Sequence, residues 1–190
     1  KSVRTEPVER VEQRYDARRE WINGSPFRNE IEVFAFDPAL DGFGEMRGRI
    51  TRARLLDGEG RDLSWVVGGE SVVLEIDVEA GSRMSRPILG FYLKDGLGQL
   101  LFGDNTYLST LEEPLVLDSG ESLRVAFEFE MPRLKAGDYF FTVGFADGGK
   151  DDHAIQHWVH EAITLRSRCM SWSIGILGLP MTKIQLTRQP

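Results

Sequence analysis

Apolar and polar residues alternate strictly over Ser71–Ala80. Val72, Leu74, Ile76, Val78 and Ala80 share one face, and Ser71, Glu75, Asp77 and Glu79 the other. Residues 121–131 repeat the pattern, with Leu123, Val125, Phe127, Phe129 and Met131 opposite Arg124, Glu128 and Glu130. Period-two alternation predicts strands with one buried and one wet face. Turn-forming sequences punctuate the chain between such runs: Asp57-Gly58-Glu59-Gly60, Gly68-Gly69, Asp95-Gly96-Leu97-Gly98, Asp118-Ser119-Gly120 and Lys135-Ala136-Gly137-Asp138. Strands are therefore predicted near 46–56, 61–67, 71–80, 87–94, 99–103, 121–131, 138–146 and 155–166, with an apolar tail strand at 174–187. Eight or nine short strands at this spacing imply an all-β antiparallel β-sandwich of immunoglobulin-like or jelly-roll type.

Two strands depart from clean alternation. In 87–94, Leu89, Phe91 and Leu93 make an inner face and leave Ile88, Gly90 and Tyr92 outside. In 138–146, Tyr139, Phe141, Val143 and Phe145 point in, and Phe140, Thr142 and Gly144 point out. Glycine weakens a strand unless something must approach its backbone closely. If the two strands are neighbours, their outer faces form a shallow, nearly uncharged surface carrying Tyr92, Phe140 and Thr142. The strand at 155–166 lies alongside and brings either His157 (with His153) or Trp158 (with Gln156) to it. A one-residue slip decides which. Asn105 and Tyr107, in the Gly-Asp-Asn-Thr-Tyr segment, are further candidates, although Asn105 also has the chemistry to fix the turn.

The first 45 residues have a different texture. Residues 5–20 hold 5 acidic and 4 basic side chains, with Val8, Val11 and Tyr15 at helical spacing. Gly24, Pro26, Pro38 and Gly42 follow, around one strand signal at 31–36. Residues 1–45 thus read as a linker and helical N-terminal arm, and residues 46–190 as the sandwich.

Composition narrows the function classes. The 190 residues carry 23 Lys plus Arg against 30 Asp plus Glu, a net charge of −7, which argues against nucleic acid as a partner. It also disfavours a polyanionic ligand. The single cysteine, Cys169, excludes an internal disulfide framework and fits a reducing cytoplasm. The chain begins at Lys1 without a signal-peptide pattern, as expected of a piece of something longer.

Catalytic and cofactor motifs fail. Residues 42–48 have the wrong spacing for a dinucleotide fingerprint, and no Gly-x-x-x-x-Gly-Lys-Ser/Thr occurs. His153, His157 and His160 would share a helical face, but their flanks favour a strand. There His153 and His157 stand ~13 Å apart, too far for one metal. The acid pairs Glu112-Glu113 and Asp151-Asp152 fall in predicted loops and read as solvated. The expectation is no enzyme, no cofactor and no metal. The apolar tail around Ile174, Ile176, Leu177, Leu179 and Met181, continuing to Ile184 and Leu186, must pair with a sheet edge of its own sandwich or of a partner copy.

Several short pieces in order also resemble a known family. They are residues 50–57 (Ile-Thr-Arg-Ala-Arg-Leu-Leu-Asp) with Gly60, the Gly69-Glu70 turn, and 87–91 (Pro-Ile-Leu-Gly-Phe). Residues 101–106 (Leu-Phe-Gly-Asp-Asn-Thr), 134–139 (Leu-Lys-Ala-Gly-Asp-Tyr) and 178–180 (Gly-Leu-Pro) complete the set. Together they resemble the C-terminal carbohydrate-binding domain of Wzt-type proteins, the ATP-binding subunits of bacterial ABC exporters of O-antigen polysaccharide. The resemblance implies a non-catalytic β-sandwich that recognises the glycan for export. It also implies a homodimer with exchangeable C-terminal strands. Further implied partners are an ATPase domain in the same full-length chain and the transporter's membrane subunit, and the location is cytoplasmic, peripheral to the inner membrane. It supplies no short binding motif, so Tyr92, Phe140, Thr142, Trp158, His157, Asn105 and Tyr107 rest on the sheet-face argument. Two other function classes stand beside this one: a structural dimerisation or protein-interaction sandwich, and an accessory domain of a carbohydrate-active enzyme.

Overall fold

A computed structural model of the chain describes residues 16–26, 28–149, 151–168 and 174–189. A short helix, α1 (Arg19–Asn23), precedes eleven strands. They are β1 (Ile31–Phe34), β2 (Gly48–Leu56), β3 (Trp65–Val66), β4 (Ser71–Ala80), β5 (Pro87–Asp95), β6 (Leu100–Asn105), β7 (Ser122–Glu130), β8 (Arg133–Leu134), β9 (Gly137–Asp147), β10 (Ala154–Ser167) and β11 (Leu177–Gly178). A 3₁₀ turn covers Leu108–Thr110.

The larger sheet has the order β3-β1-β10-β9-β5-β6 and the smaller one β2-β4-β7; β11 pairs with β8 apart from both. Every pairing is antiparallel. The alternation seen in the sequence becomes the core. Val72, Leu74, Ile76, Val78 and Ala80 of β4 are fully buried, facing Leu89, Leu93, Phe141, Val143 and Phe145 of the larger sheet. Phe91 gathers Phe102, Phe127, Phe129 and Phe141 within 5.0–5.9 Å between ring centroids. This aromatic cluster backs the outer face of β5 and β9 with a close-packed layer. The fold is therefore the expected all-β sandwich.

Three segments differ from the sequence reading. The sequence places the strand signal at 31–36 inside the arm, but β1 pairs Ile31 with Ser167 of β10 and with Val66 of β3. Its buried Ile31 makes it an integral strand of the larger sheet. The tail strand at 174–187 contracts to Leu177–Gly178, paired with Leu134 and Arg133; Pro180, which has no N–H, cannot extend the ladder. The stripe of Val8, Val11 and Tyr15 lies outside the described residues, as does Cys169. Within 16–20 the helix begins only at Arg19.

Residues 16–18 are anchored deeply. The Asp16 carboxylate accepts from Arg133 Nε at 3.1 Å and from the Arg18 backbone N–H at 2.9 Å. The Arg133 side chain is itself buried. Ala17 donates its N–H to the Met181 carbonyl at 2.7 Å, tying the arm to the C-terminal segment.

Candidate functional site

β5 and β9 are adjacent and in the register that pairs Ile88 with Ala146, Gly90 with Gly144, Tyr92 with Thr142 and Lys94 with Phe140. Because these pairs share the outer face, the surface expected from the sequence exists. Its relief comes from the neighbouring elements.

β10 settles which side chain joins that face. Ile155 pairs with Ala146 and His157 with Phe145, so Gln156 is an extra residue, and Trp158 then pairs with Gly144. This bulge rotates the strand by one position and sends Trp158 outward and His157 inward. A second irregularity follows between Val159 and Ile163, with Glu161 in the left-handed region at φ 53°. Bulges on both sides of Trp158 fix its direction, at a local backbone cost of order 1 kcal/mol at Glu161.

Trp158 and Tyr92 form the centre of the site, with ring centroids 5.7 Å apart and planes inclined by 42°. Beside them a cavity of about 420 Å³ opens to solvent. Ile88, Gly90, Gly144, Ala146 and Ile155 line its apolar part, and Asp104, Asn105, Tyr107 and His153 contribute polar groups. Among the described residues that line it there is no Lys or Arg. That volume falls in the ~300–1,000 Å³ range of small-molecule sites, and its apolar floor with a few polar groups is the usual composition of one.

The wall built by residues 104–110 is pinned to β5. Thr106 donates its N–H to the Leu89 carbonyl at 2.9 Å, and Thr106 Oγ1 accepts from the Leu89 N–H at 3.1 Å. Asn105 Oδ1 accepts from the Tyr107 N–H at 2.9 Å, an Asx turn that sets Tyr107 and Leu108 at the cavity's edge. Gly90 is needed here for space, since a Cβ on it would lie 2.9 Å from the Asn105 Cβ.

Four of the seven sequence candidates, Tyr92, Trp158, Asn105 and Tyr107, meet at this cavity. Thr142 pairs with Tyr92 across the strands but is only 1% exposed. Phe140 lies two residues beyond it, beside Lys94 and Thr164 and outside the cavity lining. His157 points into the structure, where its Nδ1 accepts the Ile50 N–H at 2.9 Å and the residue is 6% exposed. Burial, reinforced by the charge of Arg49, pushes its pKa below the ordinary histidine value. Ile88, Asp104, Ala146, Leu108 and Ile155 went unnamed as site residues. The outward phases of Ile88 and Ala146 carried a signal, whereas Asp104 depends on the placing of β6 at the sheet edge, Leu108 on the 3₁₀ turn and Ile155 on the β10 bulge.

Among the described residues, no three His, Cys, Asp or Glu side chains are grouped to hold a metal ion. Nor is any described helix long and apolar enough to cross a membrane.

Comparison with known proteins decides the family. The model of the Wzt C-terminal domain matches residues 40–179, which include every residue of the cavity. The chain belongs to the Wzt C-terminal domain family. A crystal structure of the C-terminal domain of Wzt superposes with a TM-score of 0.66 at 19% identity, covering 82% of this chain and 92% of that one. At that identity the likeness establishes the sandwich fold alone. The search of curated proteins gave no match. A Wzt C-terminal domain is part of a transporter subunit and not of a known catalytic family, so membership points to a role in O-antigen export.

Proposed function

We propose that this domain is a non-catalytic glycan-binding module that recognises O-antigen polysaccharide for export by an ABC transporter. The observation that carries the proposal is the Tyr92–Trp158 ring pair beside an open cavity with Asn105, Asp104 and His153 among its polar groups and, among the described residues, no Lys or Arg. Sugars present C–H faces and hydroxyl rims. A ring pair buries the first without requiring charge, and amide, carboxylate and imidazole groups bond the second. Rigid aromatic rings also lose little conformational entropy on binding. The module acts at the cytoplasmic side of the inner membrane, joined to an ATPase domain and, through it, to the membrane subunit. Weak binding at each site is strengthened by two copies in a homodimer.

The dimer has its own support. The C-terminal segment exposes Ile174, Ile176, Leu179, Met181, Ile184 and Leu186, with Ile174 97% and Leu186 92% exposed. So much apolar surface on an extended segment is suited to cover by a second copy, with the segments exchanged.

Calorimetric titration of the domain with the O-polysaccharide of its source strain, beside an unrelated one, tests the reading. Heat with the cognate polymer, lost in Tyr92→Ala and Trp158→Ala while the circular dichroism of the sheets is retained, is the expected result. Absence of heat with the cognate polymer would refute it.

A further inference from the structure

At the level of Trp158, the larger sheet does not end at β10. β1 covers the far edge of β10 only from Thr164 to Ser167. Nearer the site that edge is taken by residues 43–46. Phe43 exchanges both backbone hydrogen bonds with Trp158, at 3.1 and 2.8 Å, and Glu45 and Met46 donate to the carbonyls of Ile155 and Gln156 at 2.9 Å each. Gly44 makes this possible. At φ +141° it lies against the Gln156 carbonyl, in space that a Cβ would need.

This segment brings the Phe43 ring to the outer face beside Trp158. Their centroids are 6.3 Å apart, and the His160 ring lies 5.8 Å from Phe43 and 6.4 Å from Trp158. Phe43 remains 51% exposed and His160 is exposed, although neither lines the cavity. Tyr92, Trp158 and Phe43 therefore form one row of rings, each within stacking range of the next, with His160 of β10 set beside both Trp158 and Phe43. The row crosses the strands obliquely, from β5 over β9 and β10 to residue 43, because Tyr92 is level with Thr142 and Trp158 with Gly144. Three strand spacings of ~4.8 Å give it a lateral extent of about 14 Å, and the cavity lies alongside its Tyr92–Trp158 half, lined from β5, β6, β9 and β10. A row of that length, flanked by a cavity along part of it, matches an extended chain of sugar rings better than a single unit.

We propose that Phe43 and His160 form a second glycan subsite, continuous with the Tyr92–Trp158 pair, so that the polysaccharide lies across the strands with several sugar units in contact. The proposal rests on the glycan-binding reading and adds its direction and span. Phe43 stacks on a further sugar ring, and the His160 imidazole hydrogen-bonds its hydroxyls.

The test titrates the domain with the source strain's O-polysaccharide and with its partial-hydrolysis fragments, sized from one repeat unit upward. The proteins are the unaltered domain, Phe43→Ala, Phe43→Leu and His160→Ala. Because the Phe43 ring is half exposed and its pairing uses the backbone, these changes leave the sheet edge intact, which the far-ultraviolet circular dichroism verifies. The expected result is affinity that rises with fragment length in the unaltered domain. Phe43→Ala then loses about tenfold on long fragments and little on a single repeat, with Phe43→Leu in between. Equal losses at every length would overturn the second subsite, since Phe43 would then act only by positioning Trp158. Unchanged affinity at every length would overturn it too. Failure of the unaltered domain to bind the polymer at all strikes the glycan-binding reading itself, so the two failures are distinguishable.

Discussion

Trp158 occupies the space that any side chain at position 144 would need. A Cβ built on Gly144 comes within 2.7 Å of Cε3 and Cζ3 of the indole, and the two residues are cross-strand partners. The glycine expected to admit a ligand instead admits the ring that would meet the ligand. Gly144→Ala must therefore lift or rotate Trp158 away from Tyr92, at an overpacking cost of about 1–3 kcal/mol. The expected outcome is altered tryptophan emission and roughly tenfold weaker glycan binding, with the sheets intact. Unchanged binding would mean that the indole's position does not matter.

His157 should make stability depend on pH below neutrality. Its Nδ1 accepts the Ile50 N–H and must be unprotonated to do so. Burial and Arg49 lower its folded pKa below the unfolded value of 6.5. As pH falls through about 6.5 the unfolded chain takes up a proton first, so this contribution is complete above that pH and is lost as pH falls towards the folded pKa. Urea unfolding near neutrality and at about pH 5 should show a larger loss in the parent than in His157→Asn, whose amide oxygen can accept the same bond without titrating. Equal losses would remove His157 from the account.

The Asp16–Arg133 pair yields a test of the arm. Burial pushes the Asp16 carboxyl up, but hydrogen bonds from Arg18 and Arg133, with the charge of Arg133, outweigh it and hold the pKa at about 2. Its stabilisation is complete above about pH 4 and is lost as pH falls from there towards 2. Asp16→Ala strands the buried Arg133 guanidinium, for an expected cost of about 3–5 kcal/mol by chemical denaturation. Adding Arg133→Met to Asp16→Ala should recover much of that, because a buried cation without a partner costs more than an apolar side chain of similar length. If Asp16→Ala is as stable as the parent, residues 16–18 do not brace the sandwich.

Much of this molecule could be read from period-two alternation. β4 shows why: five apolar residues at alternate positions admit one buried face, and all five are buried. The outward phase of Tyr92 followed from the same rule, whereas the pairing of β5 with β9 entered the sequence reading only as a condition. The choice between His157 and Trp158 did not, because an extra residue at Gln156 resets the phase, and a bulge leaves no mark in the hydrophobic pattern. Phe43 was hidden for a different reason. In the sequence, residues 42–48 read as the end of the arm, the start of a strand and a failed dinucleotide fingerprint, whereas their role depends on an edge of β10 more than a hundred residues away. The resemblance to the Wzt family reached the fold by a separate route, through short pieces such as residues 50–57 and 87–91, and the family match over 40–179 encompasses both. Phe140 exposes the limit of face arguments: it has the correct phase but lies four residues along β9 from Gly144, ~13 Å from the level of Trp158.

The C-terminal segment offers the last prediction. β11 contributes only two paired residues, Leu177 and Gly178, while Ile184 is half-exposed and Leu186 almost wholly so. An apolar side chain gains roughly 1.5–3 kcal/mol on full burial, so covering several of them in a second copy supplies a driving force that one sandwich leaves unused. Replacing Ile184 and Leu186 together by aspartate removes that gain and puts charge where an interface would be. Light scattering coupled to gel filtration should then show the dimer of the parent replaced by a monomer, with the sandwich's own unfolding midpoint nearly unchanged because neither residue belongs to the buried core. Retention of a dimer by the double variant would place the subunit contact elsewhere, and a monomeric parent would rule out exchange through this segment.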